Sequence, residues 1–140
     1  MLAVMKNILK TLLSLCLATV LLVACGKGYD DKILGSWEMD YWVLYSHDGT
    51  FGDTPDGYVF TFNPDGKGVM VSPQSTPDSS RVEYDFTPFT YHVDDEDLHM
   101  SLHDFELCHI EKLDDTQLIL SQTSTTASGS QMVVFSFTKK

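Results

Sequence analysis

The chain has 140 residues, and 20 acidic against 9 basic residues give it a net charge of −11. This length fits a single domain, and such an excess of negative charge repels the phosphate backbone of nucleic acids. We therefore expect one domain that has no DNA or RNA partner.

The N-terminal segment has the anatomy of a secretory signal peptide. Lys6 and Lys10 supply a positive start, and residues 11–24 form an apolar run without charge. The run is shorter than the roughly 20 residues that a membrane-spanning helix needs, and polar residues follow it at once. This pattern favours a signal peptide over residues 1–24 rather than the alternative, a transmembrane anchor.

The end of this apolar run, residues 22–25 (LVAC), resembles the lipobox of bacterial lipoproteins. The resemblance implies cleavage before Cys25, a diacylglyceryl thioether on its sulfur and acylation of the new N-terminus, as by palmitate. It also implies a lipid anchor in the bacterial cell envelope, which we expect at the outer membrane. Several acyl chains on one cysteine should hold the protein stably in the bilayer. Asp30 and Asp31 resemble the acidic export signal of surface lipoproteins, and the periplasmic and surface sides both remain open.

Removal of the signal peptide changes the charge and sets the domain bounds. Residues 1–24 contain two lysines and no acidic residue, so the net charge of the remaining 116 residues becomes −13. We expect residues 25–32 to form a mobile polar tether and residues 33–140 to form the folded domain.

The three cysteines leave no disulfide in this interpretation. Cys16 is removed with the signal peptide and Cys25 carries lipid, so Cys108 has no partner. Because Cys108 lies inside a strand-like run, we interpret it as a core residue rather than a catalytic thiol, which would need a nearby base.

Period-2 alternation of Val, Ile, Tyr and Phe predicts eight or nine short strands after residue 33 and no convincing helix. In the first strand, the alternation places Tyr41 on the apolar face and Trp42 on the polar face. A sheet with one apolar face is typical of an antiparallel barrel or sandwich. The predicted strands are 36–45, 57–62, 68–72, 81–86, 89–93, 98–102, 105–112, 117–123 and 131–138.

Turns and loops separate these strands. Residues 63–66 (NPDG) are a strong turn signal, and residues 94–97 form a tight acidic turn. Residues 72–80 and 124–130 are rich in Ser, Thr, Pro and Gly, so we expect two long, exposed and mobile loops.

Several of these segments together resemble one family. Residues 34–37 (LGSW) resemble the Gly-x-Trp start of lipocalins, and residues 60–68 (FTFNPDGKG) resemble the second-strand hairpin of bacterial lipocalin-like lipoproteins. Residues 91–100 and 110–120 resemble the hairpins that follow. This resemblance, to a family common in Bacteroidetes-type bacteria, implies an all-β, up-and-down barrel of about eight strands. Trp37 could plug one end of such a barrel.

The resemblance also implies a small hydrophobic or amphipathic ligand and no catalysis. A barrel of eight strands is just wide enough to be filled by its own side chains or to hold one small ligand. The same inward residues serve either purpose, so both interpretations stay open. The candidate lining residues are Trp37, Met39, Tyr41, Tyr58, Phe60, Phe62, Tyr84, Tyr91, Met100 and Phe135.

A second hypothesis is a protein-binding or accessory module of a cell-envelope complex. Trp42 and Tyr45 are candidate exposed aromatic residues, and the two long polar loops could add contacts. An enzyme is the third hypothesis. The chain has no G-x-S-x-G, H-E-x-x-H, C-x-x-C or phosphate-binding glycine motif, so we expect neither catalysis nor a cofactor.

The histidines and the acidic runs are candidate metal ligands by residue type. His99 and His103 would lie about 13 Å apart on one strand, too far to share an ion. The acidic turn instead places His92 opposite His99, but no third ligand is specified, so we expect a solvated pair without metal. The acidic runs 53–56 and 94–97 lack the spacing of a calcium-binding loop.

Overall fold

A computed structural model describes residues 28–74 and 81–140, which form nine antiparallel strands and two short helices. The helices are α1 (Tyr29–Lys32) and a 3-10 turn (His103–Phe105). The predicted signal peptide and Cys25 lie outside the described residues. Within these ranges, no helix has the length and apolarity to cross a membrane. The strands are β1 (Gly35–Ser46), β2 (Gly49–Asp53), β3 (Val59–Phe62), β4 (Lys67–Gln74), β5 (Glu83–Asp94), β6 (Asp97–Met100), β7 (Leu107–Leu113), β8 (Gln117–Thr126) and β9 (Gly129–Lys139).

The strands close into a barrel. Their order is β2-β1-β3-β4-β5-β6-β7-β8-β9, and β9 also pairs with β1. β2 and β3 pair with successive parts of β1, so together they act as one interrupted strand of the wall. The prediction of an eight-stranded, antiparallel, up-and-down barrel is confirmed, and this is the architecture that lipocalins have.

The two ends of the barrel are covered differently. At what we call the closed end lie α1 and the turns at 63–66, 94–97 and 114–116. At the other end, which we call the open end, lie the hairpin turns at 47–48 and 127–128 and the β6–β7 connection.

Trp37 seals the closed end. Its indole N–H donates a hydrogen bond of 2.7 Å to the carbonyl oxygen of Ile33, and both side chains are fully buried. The ammonium of Lys139 lies 4.9 Å from the centre of the Trp37 ring, within the range of a cation–π contact. Gly35 lets the Lys139 side chain approach, because a Cβ at Gly35 would come within 3.1 Å of Lys139 Cε. The Trp37 plug is confirmed.

Aromatic rings from facing strands fill the barrel near the closed end. Phe62 contacts Phe89 and Tyr91 with ring centres 5.4 and 4.9 Å apart, and Phe60 contacts Phe137 at 5.3 Å. These edge-to-face contacts are the arrangement that aromatic pairs prefer. The filled-core interpretation therefore holds for this half of the barrel.

A β-bulge in β1 overturns two predictions. Met39 is opposite Phe137 and Tyr41 is opposite Ser136, so the register shifts at the intervening Asp40. Beyond the bulge the alternation is reversed. Trp42, expected on the polar face, is opposite Phe135 and packs against the core, whereas Tyr41, expected inside, is 39% exposed.

The predicted loops differ from the structure as well. The expected mobile loop at 124–130 is wrong, because β8 and β9 continue until Thr126 pairs with Gly129 across a two-residue turn. Ser72–Gln74 belong to β4, and residues 75–80 lie outside the described residues. Glu83–Asp94 form one strand rather than two. Part of the expected tether forms α1, and Tyr29 within it packs against the core.

Candidate functional site

Phe105 enters the barrel from the open end. β6 and β7 are short, so the connection between them folds over the barrel interior instead of extending the wall. The Phe105 ring lies 5.1 Å from the ring of Phe60 and 4.8 Å from that of Phe135. These contacts make Phe105 the upper limit of the filled core.

Hydrogen bonds hold the segment that carries Phe105. The Gln122 side-chain amide, on β8, donates to the carbonyl oxygen of Asp104 at 3.0 Å and to the Cys108 sulfur at 3.3 Å. The amide of Met100 donates to the carbonyl oxygen of Glu106 at 3.1 Å. The segment that carries Phe105 is therefore closed at its base by the Met100–Glu106 hydrogen bond and held by Gln122 of the neighbouring strand β8.

Above Phe105, apolar side chains line the inner faces of the strands without being fully buried. Directly opposite residues of an antiparallel pair share one face, and Leu44 is opposite both Val133 and Phe51. Leu44 and Val133 are half-buried, whereas Phe51 is 56% exposed. We call the surface formed by these residues the cup; its members are Trp42, Leu44, Phe51, Val133 and, as its floor, Phe105.

Polar groups share the inner face with these apolar residues. Asp53 is opposite Trp42 and is exposed at the end of β2, where its carboxylate accepts a 2.8 Å hydrogen bond from the N–H of Thr54. Ser124 and Gln131 face each other higher on β8 and β9. An apolar surface with a few polar groups at its margin is typical of a small-molecule site.

The structure divides the predicted lining residues into three groups. Tyr58 and Tyr91 are half-buried against the core. Tyr41 and Tyr84 are exposed, so their predicted interior positions are wrong: the β1 bulge turns Tyr41 outward, and Tyr84 is opposite Pro73 on the outer face. The buried group consists of Trp37, Met39, Phe60, Phe62, Met100 and Phe135.

Few of the predicted residues therefore border the cup, and the predicted lining included none of its members. Phe135 and Phe60 reach it through their contacts with Phe105. The adjacent aromatic residues Tyr41 and Trp42 interrupt strict alternation and were a signal of the bulge. No such signal marks Phe105. The sequence pattern predicts that it starts a strand, whereas in the structure it ends a 3-10 turn.

Cys108 is a core residue, as predicted. Its side chain is fully buried on β7 opposite Leu98. Burial raises the pKa of the thiol from its ordinary value of 9.0 to about 12, against the smaller lowering effect of the Gln122 hydrogen bond. Such a thiol stays protonated and lacks the nucleophilicity of a catalytic cysteine.

The predicted pairing of His92 with His99 is confirmed. Their rings stack with centres 4.4 Å apart and planes 5° apart on the outer face of the sheet. His109, on the next strand, lies 3.1 Å from Asp97 through Nδ1. In residues 28–74 and 81–140, no three His, Cys, Asp or Glu side chains form a group that could hold a metal ion.

Comparisons with known proteins identify structural neighbours but no family. No family profile and no curated protein matches the chain. A deswapped triple mutant of bovine odorant-binding protein aligns with a TM-score of 0.43 and 16% sequence identity, and the alignment covers 78% of this chain and 74% of the odorant-binding protein chain. The siderocalin Ex-FABP aligns with a TM-score of 0.44 and 9% identity over the same shares. The strand pairing itself, rather than these alignments, establishes that this chain is an all-β protein with a closed eight-stranded barrel.

Proposed function

We propose that the protein is a lipid-anchored, non-catalytic barrel that binds one small apolar or amphipathic molecule in the cup. One observation carries this proposal: the inner-face residues Trp42, Leu44 and Val133 are only half-buried above Phe105, although the residues below it fill the core. Apolar surface that stays in contact with water is unfavourable, and an apolar ligand that covers this surface makes the free energy of its burial available for binding.

The charge of the protein restricts the ligand. Asp53 places a carboxylate beside the cup at the level of Trp42, and the chain without its predicted signal peptide carries a net charge of −13. An anionic head group near this carboxylate would be repelled, whereas a neutral or cationic one would not. We therefore propose a neutral or cationic amphiphile in preference to a fatty acid anion.

Tryptophan fluorescence offers a direct binding test. Trp42 lines the cup, and Trp37 is sealed at the closed end, so an occupied cup changes the emission of Trp42 alone. We would titrate an alkyl amine, an alcohol and a carboxylate of equal chain length, followed by retinoids and haem. Saturable binding with the amine and the alcohol ahead of the carboxylate is expected. Absence of saturable binding at micromolar concentration across the panel would refute the ligand proposal.

Adjacent residues on β1 provide a matched pair of variants. Leu44 lies on the inner face, whereas Tyr45 points outward and is 46% exposed. Leu44→Gln should weaken binding by about tenfold, because a polar amide replaces apolar contact in the cup. Tyr45→Gln should leave the affinity unchanged. Equal effects of the two variants would place the ligand outside the cup.

The lipid anchor fixes the orientation of the barrel in this proposal. Cys25 precedes α1 by four residues, which span at most about 14 Å when extended. Because α1 lies at the closed end, that end would face the membrane and the cup would face away from it. Cys25→Ala should abolish lipidation and membrane attachment while the barrel remains folded. A variant that stays membrane-bound through an uncleaved segment would contradict the lipoprotein assignment, and protease accessibility on intact cells would distinguish the surface from the periplasmic side.

A further inference from the structure

The part of β5 near the open end has one free edge. β5 pairs with β4 from Glu83 to Thr90, but β6 covers its other edge only from Tyr91 to Asp94. Within the described part of the chain, no strand pairs with that second edge between residues 83 and 89. An unpaired strand edge is a template for another strand.

The main-chain groups that point to this edge can be assigned from their neighbours. The N–H of Thr90 donates to the Ser101 hydroxyl at 2.9 Å, and the C=O of Thr90 accepts from the Ser101 N–H at 3.0 Å, both away from β4. The Tyr91 N–H points the opposite way, to Gly66 at 2.8 Å. Because successive residues alternate in direction and the β4–β5 register has no shift, the N–H and C=O groups of Phe86 and Tyr84 point to the free edge.

The side chains along the edge alternate in character as well as in direction. Phe86 is 70% exposed and Tyr84 is 49% exposed, both on the outer face, where Phe86 is opposite the half-buried Val71. Glu83 and Asp85 are exposed on the inner face, where the Asp85 carboxylate also accepts a hydrogen bond from the Gln74 side-chain amide. The edge therefore presents an apolar row on one side and two carboxylates on the other.

We propose that this edge binds an extended segment of another protein in which basic and apolar residues alternate. Strand addition supplies main-chain hydrogen bonds from Tyr84 and Phe86, and alternate side chains supply specificity. Apolar residues of the added strand cover the rings of Tyr84 and Phe86, and basic residues face the carboxylates.

A second copy of this chain fits the edge poorly. An antiparallel pairing centred on Tyr84 sets Glu83 of one copy opposite Asp85 of the other, and a pairing centred on Asp85 opposes two identical carboxylates. A pairing centred on Phe86 instead sets Tyr84 opposite Pro88, which has no N–H to donate. Like charges directly opposite each other are unfavourable in a sheet. The same carboxylates that oppose self-association therefore favour a basic partner.

The binding test uses two matched peptides and the full chain in neutral detergent. One peptide of about eight residues alternates lysine with valine and tyrosine, and the other replaces each lysine by glutamate. We expect saturable binding of the lysine peptide, at least about tenfold tighter than the glutamate peptide, and weakening of that binding by salt. Equal affinities for the two peptides would overturn the proposal, because apolar adhesion alone would then suffice.

Two variants test whether the peptide adds as a strand. Tyr84→Pro removes an N–H that points to the free edge and leaves the β4 hydrogen bonds in place. It should weaken the lysine peptide by about tenfold, whereas Tyr84→Thr, which keeps the N–H, should weaken it less. Circular dichroism of both variants should match the wild type; if Tyr84→Pro is misfolded, Phe86→Pro replaces it.

The acidic side of the edge is tested separately. The double variant Glu83→Gln, Asp85→Asn should remove most of the preference for lysine over glutamate peptide. If the wild type instead forms a dimer that Tyr84→Pro dissociates, measured by sedimentation, the occupant is a second copy and the proposal is wrong. Unchanged peptide binding in the proline variants would also overturn it. Trp42 fluorescence reports occupation of the cup, so a failure of the ligand proposal and a failure of the strand-addition proposal can be told apart.

Discussion

The side-chain amide of Gln122 donates a 3.0 Å hydrogen bond to the main-chain carbonyl of Asp104. This contact joins strand β8 to the 3-10 turn that carries Phe105 over the filled core. The aromatic core and the cup meet at Phe105, so the contact also sets where the cup begins.

The first prediction concerns this contact. Gln122→Ala should destabilise the protein by about 0.5–1.5 kcal/mol, because the carbonyl of Asp104 and the sulfur of Cys108 both lose their side-chain donor. Hydrogen exchange should accelerate in the β6–β7 connection before other regions. Gln117→Ala on the same strand is the control, since its partner Lys112 is at the surface and its loss should cost about 0.5 kcal/mol or less. Equal costs for the two variants would contradict the anchoring role of Gln122.

A second prediction tests the close packing between two strands of the core. A Cβ at Gly68 would come within 2.5 Å of Phe89 Cε2 and of the Thr61 carbonyl oxygen. Gly68→Ala should therefore cost about 1–3 kcal/mol in urea unfolding, because the backbone or the Phe89 ring must shift. Gly28→Ala is the control, as no atom outside its neighbours lies within 4 Å of that position. A neutral Gly68→Ala variant would show that the ring has room to move.

The third prediction concerns the reactivity of Cys108. Its pKa of about 12 and its full burial should keep the thiol unreactive towards a disulfide reagent at pH 8 until the protein unfolds. The full chain with Cys16→Ser and Cys25→Ser isolates this thiol. Rapid labelling of the folded protein would contradict its placement in the core.

The same pKa has a consequence for stability in alkali. The folded-state pKa is raised, so the unfolded state loses the Cys108 proton first as the pH rises above 9.0. Stability from this residue is complete below that pH and declines towards about pH 12. Urea unfolding of the same variant with and without Cys108→Ala should show a difference that shrinks across this range.

The fourth prediction concerns His109. The hydrogen bond to Asp97 is the main cause that raises the pKa of His109 above 6.5, with further contributions from Glu111, Asp97 and Glu96 charges. The raised pKa means that its stabilising effect is complete below 6.5 and is lost as the pH rises through the folded-state value. An NMR titration should show the raised pKa, and Asp97→Asn should lower it. An unchanged pKa in that variant would assign the shift to the other carboxylates.

Local pattern was enough to predict most of the barrel wall. Alternation located eight of its strand segments, and the four-residue acidic turn correctly set His92 opposite His99. β2 was missed, because its sequence GTFGD contains two glycines and one large apolar residue, and all five residues are exposed. Its strand geometry comes from pairing with β1 rather than from its own composition.

The cup could not be predicted in the same way. A bulge depends on how two distant strands pair, and here the β1–β9 register displaces Asp40 and brings Trp42 inside. Phe105 is separated by 45 positions from Phe60 and by 30 from Phe135, so its contacts exist only after the barrel closes. Alternation alone therefore misassigned Tyr41 to the interior. It misassigned Tyr84 because β5 is one unbroken strand, in which the inward direction of Phe89 places residue 84 on the outer face.

The sequence by itself determined the all-β class, the position of most strands and the burial of Cys108, since period-2 burial and turn chemistry act between near neighbours. The choice of a barrel over a sandwich, and Trp37 as the plug of one end, came with the resemblance to lipocalins. The sequence also carries the lipobox resemblance at Cys25, which stays a prediction. Only the tertiary structure decided which aromatic residues point inward, where Phe105 lies and which edge of β5 is free. These features depend on register and closure between distant strands, and no short window of sequence contains that information.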